Sequence, residues 1–282
     1  MDSLQRFEFE GVSIAYARRG SGPPLVFLHN AGAAHGLWAA QLAALAGEYT
    51  VFALDLTGYG ASDAPADPAA YILARYTRTV RAFLLEQSLE GVALVGNCLG
   101  AAIALNLARQ YPGIGAVVAI NPLTERTALA GGIGPLARLA RIAPPAVLNS
   151  VGRWRTPHWL VRAMVRFWFA DRAAYRASAP SDRVAAAFPL LALAAMGRDL
   201  PSFRILEQRS SDPARPPVCT VWGAANPILS SSEGQRLNTL LNPERQVILP
   251  GCGHAPMLER PEQVTAVIAE FLAAHRHSAT ID

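Results

Sequence analysis

Residues 92–108 read VALVGNCLGAAIALNLA, and this stretch decides the fold. An apolar run ends at the pentapeptide GNCLG, and a long run of small and apolar residues follows it. The pattern predicts a buried strand, a tight turn and then a helix. Gly96 and Gly100 avoid side-chain clashes where the strand meets the helix. Cys98 between them is therefore expected in a strained conformation, exposed at the top of the sheet.

Further strands and helices alternate along the rest of the chain. Strand patterns occur at FEFE near residue 7 and at 12–19, 24–29, 50–55, 92–97, 116–121, 218–223 and 246–250, and helical patterns at roughly 36–46, 71–88, 99–111, 230–241 and 260–275. The later strand patterns are uninterrupted apolar runs, which is typical of parallel strands buried on both faces. The alternation predicts a doubly wound α/β sheet with right-handed crossovers.

One interval lacks any strand pattern. Residues 123–200 read as several short helices separated by GGIGP, APP, RTP and SAPSD. We interpret this interval as a helical cap inserted after the sixth strand, above the edge of the sheet where such folds bind ligands. The predicted organisation is a core domain in two parts, 1–122 and 201–282, with the cap at 123–200.

Composition narrows the classes of function. About half of the chain is hydrophobic and 16% is charged, which indicates a large globular core. All 25 basic residues are arginine, so Schiff-base chemistry on lysine is excluded. The three cysteines have no metal-like spacing, and we expect neither a disulfide framework, nor a metal, nor a cofactor. The first residues lack a signal-peptide pattern and no apolar stretch is long enough to span a membrane, so a cytoplasmic location is expected.

The chain resembles the α/β-hydrolase superfamily over essentially its full length. The resemblance rests on GNCLG, on FLHNAGAAHGLW at 27–38, on DLTGYGASDAP at 55–65 and on GCGHAPMLERPEQV at 251–264, which occur in the family's order. It implies the α/β-hydrolase fold: a mostly parallel eight-stranded sheet flanked by helices, with the cap after strand six.

The resemblance also implies a catalytic triad, with two departures from the usual residues. Cys98 stands where the nucleophile is usually serine, and His254 stands where the general base lies, just before the final helix. In VWGAANPILS, Asn226 occupies the position of the usual aspartate. Glu125, shortly after strand six, is an alternative, because some relatives recruit their acid from that region.

An oxyanion hole and a substrate pocket are implied in the same way. The backbone N–H groups of Ala31 and Leu99 are the expected oxyanion donors. Asn30 stands where glycine is usual, and asparagine tolerates a positive φ better than other residues do. We expect Asn30, Trp159 and Trp168 to contact the substrate, while His29 has a structural role.

The two departures are chemically consistent with each other. Replacing aspartate with asparagine in a serine triad costs about 10⁴ in turnover, whereas papain-like thiol sites use Cys-His-Asn. A helix N-terminus and a histidine partner can lower the pKa of a thiol by several units. The sequence therefore predicts an acidic Cys98 in a thiolate–imidazolium pair, oriented by a neutral amide. An inactive relative would more naturally have lost His254, and an engineered serine-to-cysteine trap would have kept aspartate at 226.

The predicted function is that of an acyl-enzyme-forming esterase or thioesterase acting through Cys98. The alternatives are an acyltransferase, cyclase or non-hydrolytic lyase of specialised metabolism, and a catalytically silent ligand-binding protein.

The interval 123–200 carries eleven arginines against four acidic residues, a net charge of +7, whereas the remainder of the chain has a net charge of −3. This excess fits either a solvated helix face or a docking surface for coenzyme A or an acidic acyl carrier protein. No nucleic-acid motif is present, so the expected partner is a small-molecule acyl substrate.

Overall fold

One eight-stranded sheet forms the centre of the protein. The computed structural model describes residues 4–144, 146–147, 150, 156–178, 190–209 and 215–275. The strands are β1 (Gln5–Phe9), β2 (Val12–Arg19), β3 (Pro24–Leu28), β4 (Thr50–Leu54), β5 (Val92–Asn97), β6 (Ile114–Ile120), β7 (Val218–Gly223) and β8 (Arg245–Leu249). Their order is β1-β2-β4-β3-β5-β6-β7-β8. β2 is antiparallel to both β1 and β4, and all other pairs are parallel. The eight predicted strands and the mostly parallel sheet are confirmed.

Helices flank the sheet and fill the interval between β6 and β7. They are α1 (Ala39–Leu45), α2 (Leu73–Glu86), α3 (Leu99–Gln110), α4 (Glu125–Leu129), α5 (Gly134–Ile142), α6 (His158–Arg166), α7 (Arg172–Ser178), α8 (Leu190–Asp199), α9 (Ser231–Leu241), α10 (Pro256–Glu259) and α11 (Pro261–His275). Short 3₁₀ helices span His35–Trp38, Pro68–Tyr71 and Leu200–Glu207. We keep 123–200 as the proposed extent of the cap, with α4 to α8 as its described helices.

The central strand β5 and the helix after it explain where the site lies. Every residue of β5 is buried, and Leu94 lies between Val26 of β3 and Val117 of β6. The first nine residues of α3 are also buried, and the many alanines let this helix lie close against the sheet. Because β5, β6 and β7 are parallel, the residues that follow them meet at one edge of the sheet.

The cap helices pack on each other and on the core. A Cβ placed on Gly197 of α8 would lie 2.9 Å from Cβ of Ala140 in α5, so these two helices are in close contact. Asp199 at the end of α8 accepts a hydrogen bond from the backbone N–H of Leu73, at the start of α2 in the core, at 2.8 Å. Within the described ranges, no helix is both long and apolar enough to cross a membrane.

Candidate active site

The turn at GNCLG has the predicted backbone geometry. Cys98 adopts φ 52° and ψ −107°, a left-handed conformation that side chains rarely occupy. Its flanking glycines are required by space: a Cβ on Gly96 would lie 2.3 Å from the carbonyl of Gly100, and a Cβ on Gly100 would lie 2.1 Å from the carbonyl oxygen of Leu28. The strained turn therefore holds the Cys98 side chain between the end of β5 and the first turn of α3.

The Cys98 thiol is buried, which corrects two expectations from the sequence. The residue is 5% exposed rather than open at the top of the sheet. Burial raises the pKa of the thiol to about 12, although the backbone N–H groups of Leu99 and Ala31 act on the sulfur in the opposite direction. This shift is opposite in direction to the acidic thiol predicted from the sequence, because desolvation of the thiolate outweighs both N–H groups. The same two N–H groups are the ones expected to form the oxyanion hole.

Asn226 fixes the orientation and tautomer of His254. Its Oδ1 atom accepts hydrogen bonds from the backbone N–H groups of Ile228 at 2.9 Å and Leu229 at 3.1 Å. These two donors identify the atom as the amide oxygen, so Nδ1 of His254, 3.2 Å away, must be the donor in that contact. Nε2 of His254 is then the unprotonated nitrogen, which is the one a general base uses.

The His254 ring is held neutral by its surroundings. The residue is 2% exposed, and burial lowers its pKa to about 3. Among the described residues, no hydrogen bond joins the Cys98 sulfur to this ring. Burial thus disfavours the charged forms of both side chains, a direction opposite to that of the expected thiolate–imidazolium pair.

Glu125, the alternative acid, is engaged elsewhere. It lies at the first position of α4, and its carboxylate forms ion pairs with Arg141 of α5 at 3.0 Å and with Arg204. Thr124 caps the same helix and its hydroxyl accepts a hydrogen bond from Thr127 N–H. The Glu125 carboxylate is thus paired with two arginines. Nδ1 of His254 contacts Asn226 instead of Glu125.

The loop after β3 carries Ala31 beside the thiol, but not in the expected backbone conformation. Asn30 has no positive φ, so the tolerance of asparagine for that conformation is not used at this position. Its side chain instead donates to the carbonyl of Ala31 at 3.0 Å and accepts from Asn97 at 3.4 Å. His29 has the structural role that was expected, since its ring contacts the carbonyl of Asn30 at 2.8 Å and accepts from the N–H of Leu56 at 2.9 Å.

Two further asparagines hold the backbone of His254, and sequence reasoning missed both. Nδ2 of Asn97 lies 3.2 Å from the His254 carbonyl oxygen, and Nδ2 of Asn121 lies 3.3 Å from it. Oδ1 of Asn121 accepts from the N–H of Gly223 at 3.0 Å, which links the ends of β6 and β7. A polar residue at the carboxyl end of an otherwise apolar strand was the signal that could have identified both.

The cap places only one of the two predicted tryptophans at the site. Trp168 is buried, and its ring lies 6.3 Å from the His254 ring in an edge-on arrangement. Trp159 is 70% exposed on α6, and its contact with the substrate stays a prediction. The difference in exposure follows from helical periodicity: Trp168 continues the buried stripe of Val161 and Val165, whereas Trp159 lies on the opposite side.

The described residues contain no cluster of side chains typical of a metal site. No group of three or more His, Cys, Asp or Glu side chains that could hold a metal ion occurs in the part of the chain that the structure describes. The groups that the site does bring together are the Cys98 sulfur, the His254 ring and the backbone N–H groups of Ala31 and Leu99.

Comparisons with known proteins agree with this geometry at the level of the family. A family model described as "Alpha/beta hydrolase family" matches residues 25–267. The chain is 27% identical over 277 residues to pimeloyl-[acyl-carrier protein] methyl ester esterase of Aeromonas hydrophila, covering 93% of this chain and 100% of that protein. It is 24% identical over 270 residues to 2-hydroxy-6-oxo-6-(2'-aminophenyl)hexa-2,4-dienoic acid hydrolase of Metapseudomonas resinovorans, covering 93% and 88%.

A solved structure supports the fold independently. The enol-lactonase from Burkholderia xenovorans superimposes with a TM-score of 0.76 at 20% sequence identity, covering 95% of this chain and 100% of that chain. At this identity the similarity concerns the fold. The relatives named by sequence are a hydrolase and an esterase.

Proposed function

The chain belongs to the alpha/beta hydrolase family, and from that premise we propose that it forms an acyl-enzyme on Cys98 from an ester or thioester. The observation that carries the proposal is the contact between Nδ1 of His254 and Oδ1 of Asn226, because it leaves Nε2 free to take a proton. A neutral amide suffices to orient the imidazole when the nucleophile is a thiol.

The first half of the proposed reaction transfers the acyl group to Cys98. The Cys98 sulfur adds to the carbonyl carbon of the substrate while its proton passes to Nε2 of His254. The negative charge that develops on the carbonyl oxygen is stabilised by the N–H groups of Ala31 and Leu99. When the intermediate collapses, the leaving alcohol or thiol takes the proton from His254 and a thioester remains on Cys98.

The second half of the reaction regenerates the thiol. Water, an alcohol, an amine or another thiol attacks the thioester, and His254 again takes the proton of the nucleophile and returns it to the sulfur. Hydrolysis and acyl transfer differ only in this acceptor.

The acyl group is proposed to arrive on a phosphorylated or acidic carrier, such as coenzyme A or an acyl carrier protein. Arg162 and Arg166 are exposed on α6 together with Trp159 and Phe167, and this face has no ion pair among the described residues. The net charge of +7 over 123–200 is complementary to such a carrier.

Turnover of a panel of aryl esters and acyl thioesters tests the proposal. Wild-type protein should hydrolyse or transfer at least one acyl group, and Cys98→Ala should reduce the rate to the uncatalysed value. A Cys98→Ala protein that retains wild-type turnover would contradict the proposal. A wild-type protein that binds acyl compounds tightly without turnover would favour the ligand-binding alternative.

A further inference from the structure

A buried carboxylate that the proposed reaction does not use lies directly beside the site. Glu259, at the end of α10, is 4% exposed. Its Oε1 atom accepts a hydrogen bond from the backbone N–H of Gly253 at 2.7 Å. Its Oε2 atom accepts from the N–H groups of Ala170 at 3.0 Å and Asp171 at 2.9 Å. One carboxylate therefore joins the residue before His254 to two residues of the cap.

The backbone of His254 is bound to the same part of the cap. Its N–H donates to the carbonyl oxygen of Trp168 at 2.6 Å. A Cβ on Gly253 would lie 2.4 Å from that oxygen and 2.7 Å from the nitrogen of Ala170. The contact between cap residues 168–171, which we call the cap strap, and the loop at 252–255 is thus a close contact of backbone on backbone. It leaves no space for a side chain.

The opposite side of His254 is held by the core. Asn97 and Asn121 donate to its carbonyl oxygen, so the core fixes one end of the residue and the cap strap fixes the other. The core contacts do not depend on the position of the cap. The His254–Trp168 contact and the two cap donors to Oε2 of Glu259 exist only when the cap strap lies on the loop. The hydrogen bond from Gly253 to Oε1 of Glu259 lies within the core and ties that carboxylate to the loop.

Movement of the cap strap is one way to open the site to a substrate. Cys98 is 5% exposed and His254 is 2% exposed, so both are nearly covered when the cap strap is docked. When the cap strap moves away, the Trp168 carbonyl leaves the N–H of His254, and Glu259 loses two of its three donors. Buried N–H groups without partners are costly, so the open loop must rearrange or take up water.

We propose that Glu259 is a positioning residue that makes the alignment of His254 conditional on docking of the cap strap. The importance of that alignment for turnover rests on the proposed function, whereas the coupling itself does not. The open protein then has a misaligned imidazole, and the base is aligned against Asn226 only after the cap closes over the substrate. The closed form is the reactive one.

Hydrogen exchange of backbone amides tests the coupling without any substrate. In Glu259→Gln the side chain keeps one acceptor oxygen, which can bind either the loop at 252–255 or the cap strap. Its NH₂ group cannot accept a hydrogen bond from the backbone N–H groups of the remaining segment. Exchange should become at least roughly tenfold faster in residues 168–171 and in residues 252–255 together. The matched control Glu270→Gln removes an exposed carboxylate that pairs with Arg245 at 2.8 Å, and its exchange in both segments should equal that of the wild type.

A second variant separates coupling from loosening of the cap. Arg260 forms an ion pair with Asp171 at 3.2 Å and donates to the backbone carbonyl oxygen of Glu259 at 2.8 Å. Within the described part of the chain, no hydrogen bond joins its side chain to Gly253 or to the Glu259 carboxylate. Arg260→Gln should speed exchange in the cap near Asp171 and leave residues 252–255 unchanged. If Glu259→Gln speeds exchange in only one of the two segments, or in neither, the coupling is contradicted.

Steady-state kinetics of Glu259→Gln test whether the coupling affects turnover. With an ester that the wild type turns over, Glu259→Gln should lower kcat by roughly tenfold or more and change KM by less than about threefold, because the carboxylate positions the base and does not contact the substrate. An unchanged kcat despite faster exchange would overturn the positioning role. If the wild type shows no turnover, the proposed function fails, and the exchange data still decide the coupling.

Gly253→Ala provides a second test of the coupling if the Glu259→Gln protein does not fold. The added Cβ would lie 2.4 Å from the Trp168 carbonyl oxygen and 2.8 Å from Oε1 of Glu259, so it would disturb the same contact while the carboxylate group itself is retained. The same joint increase of exchange in 168–171 and 252–255 is expected. An increase confined to the cap strap would contradict the proposal.

Discussion

Nδ1 of His254 lies 3.2 Å from Oδ1 of Asn226, and that oxygen is also bound by two backbone N–H groups. The amide is therefore locked in one orientation, and it imposes one tautomer on the imidazole. Its Nδ2 atom is buried without a hydrogen-bond partner in the described structure. This asparagine orients the base but supplies no negative charge to an imidazolium, which suits a thiol nucleophile better than a hydroxyl.

Asn226→Ala should reduce kcat far less than His254→Ala does. We expect a loss of about 10² or less for Asn226→Ala and of about 10⁴ or more for His254→Ala, because the first removes orientation and the second removes the base. Steady-state kinetics on one ester decide this. Equal and near-complete losses would make Asn226 indispensable to the chemistry.

Glu125→Gln is the matched test of the alternative acid. Because Glu125 pairs with Arg141 and Arg204, the substitution should lower the thermal midpoint and leave kcat of the folded protein close to that of the wild type. Loss of activity in Glu125→Gln with a mild effect of Asn226→Ala would show that the acid comes from the region after strand six.

Alkylation of Cys98 should report a raised thiol pKa in the free protein. With a pKa of about 12, the thiolate fraction and hence the rate should rise about tenfold per pH unit between pH 7 and pH 10, without a plateau. Peptide mapping after iodoacetamide treatment at several pH values measures this for Cys98 alone. A plateau below pH 8 would restore the thiolate–imidazolium pair that the sequence suggested.

Stability should fall as the pH drops below about 6.5. His254 has a folded pKa of about 3 and an unfolded pKa of 6.5, so the unfolded chain binds the proton first and gains free energy as the pH falls. At pH 5 this histidine alone should cost about 2 kcal/mol relative to pH 8, and buried His29, whose pKa is about 4, acts in the same direction.

Urea unfolding at pH 8 and pH 5 of wild type and His254→Gln isolates the share of His254. The free energy of unfolding should fall by about 2 kcal/mol less in the variant than in the wild type. An equal fall in both proteins would mean that His254 is not held neutral by burial.

The cap arginines should matter only for a charged carrier. Reversing Arg162 and Arg166 to glutamate should raise KM for an acyl group on coenzyme A or a carrier protein, and should scarcely change kinetics with a short uncharged ester. The effect should weaken with salt, because exposed charges are screened within about 10 Å at 0.1 M. Parallel losses on both substrates would indicate a damaged cap instead of lost docking.

The control for that prediction is a reversal of equal charge on the core. Arg78 and Arg81 are exposed on α2, and their double reversal changes the net charge by the same amount. The control variant should keep the wild-type KM for both substrates. If it raises KM as much as the cap variant does, net charge explains the effect and the docking surface is not supported.

The sequence predicted those features of the site that depend on residues close to one another in the chain. Gly96 and Gly100 can be interpreted from sequence because a tight strand-to-helix turn excludes side chains there, and both close approaches occur in the structure. The places of His254 and Asn226 were implied by the resemblance to α/β hydrolases, in the loops after the last two strands. These features depend on residues close in sequence to the turn or strand end that holds them.

Features that depend on the cap could not be predicted in the same way. The raised pKa of Cys98 results from burial under distant residues, which no local pattern reports. Trp159 and Trp168 both occur in one aromatic-rich stretch, and only the packing of α6 shows which of them faces His254. Glu259 lies five residues after His254, yet two of its hydrogen-bond donors come from a segment about ninety residues earlier.

The central claim is that Cys98 carries the acyl group, and intact-protein mass spectrometry after incubation with acyl thioesters tests it most directly. The account predicts a mass increase of one acyl group, mapped to Cys98, absent in Cys98→Ala and persisting longer in His254→Ala if any forms there. An acyl adduct on another residue, or turnover by the Cys98→Ala protein without any adduct, would contradict it.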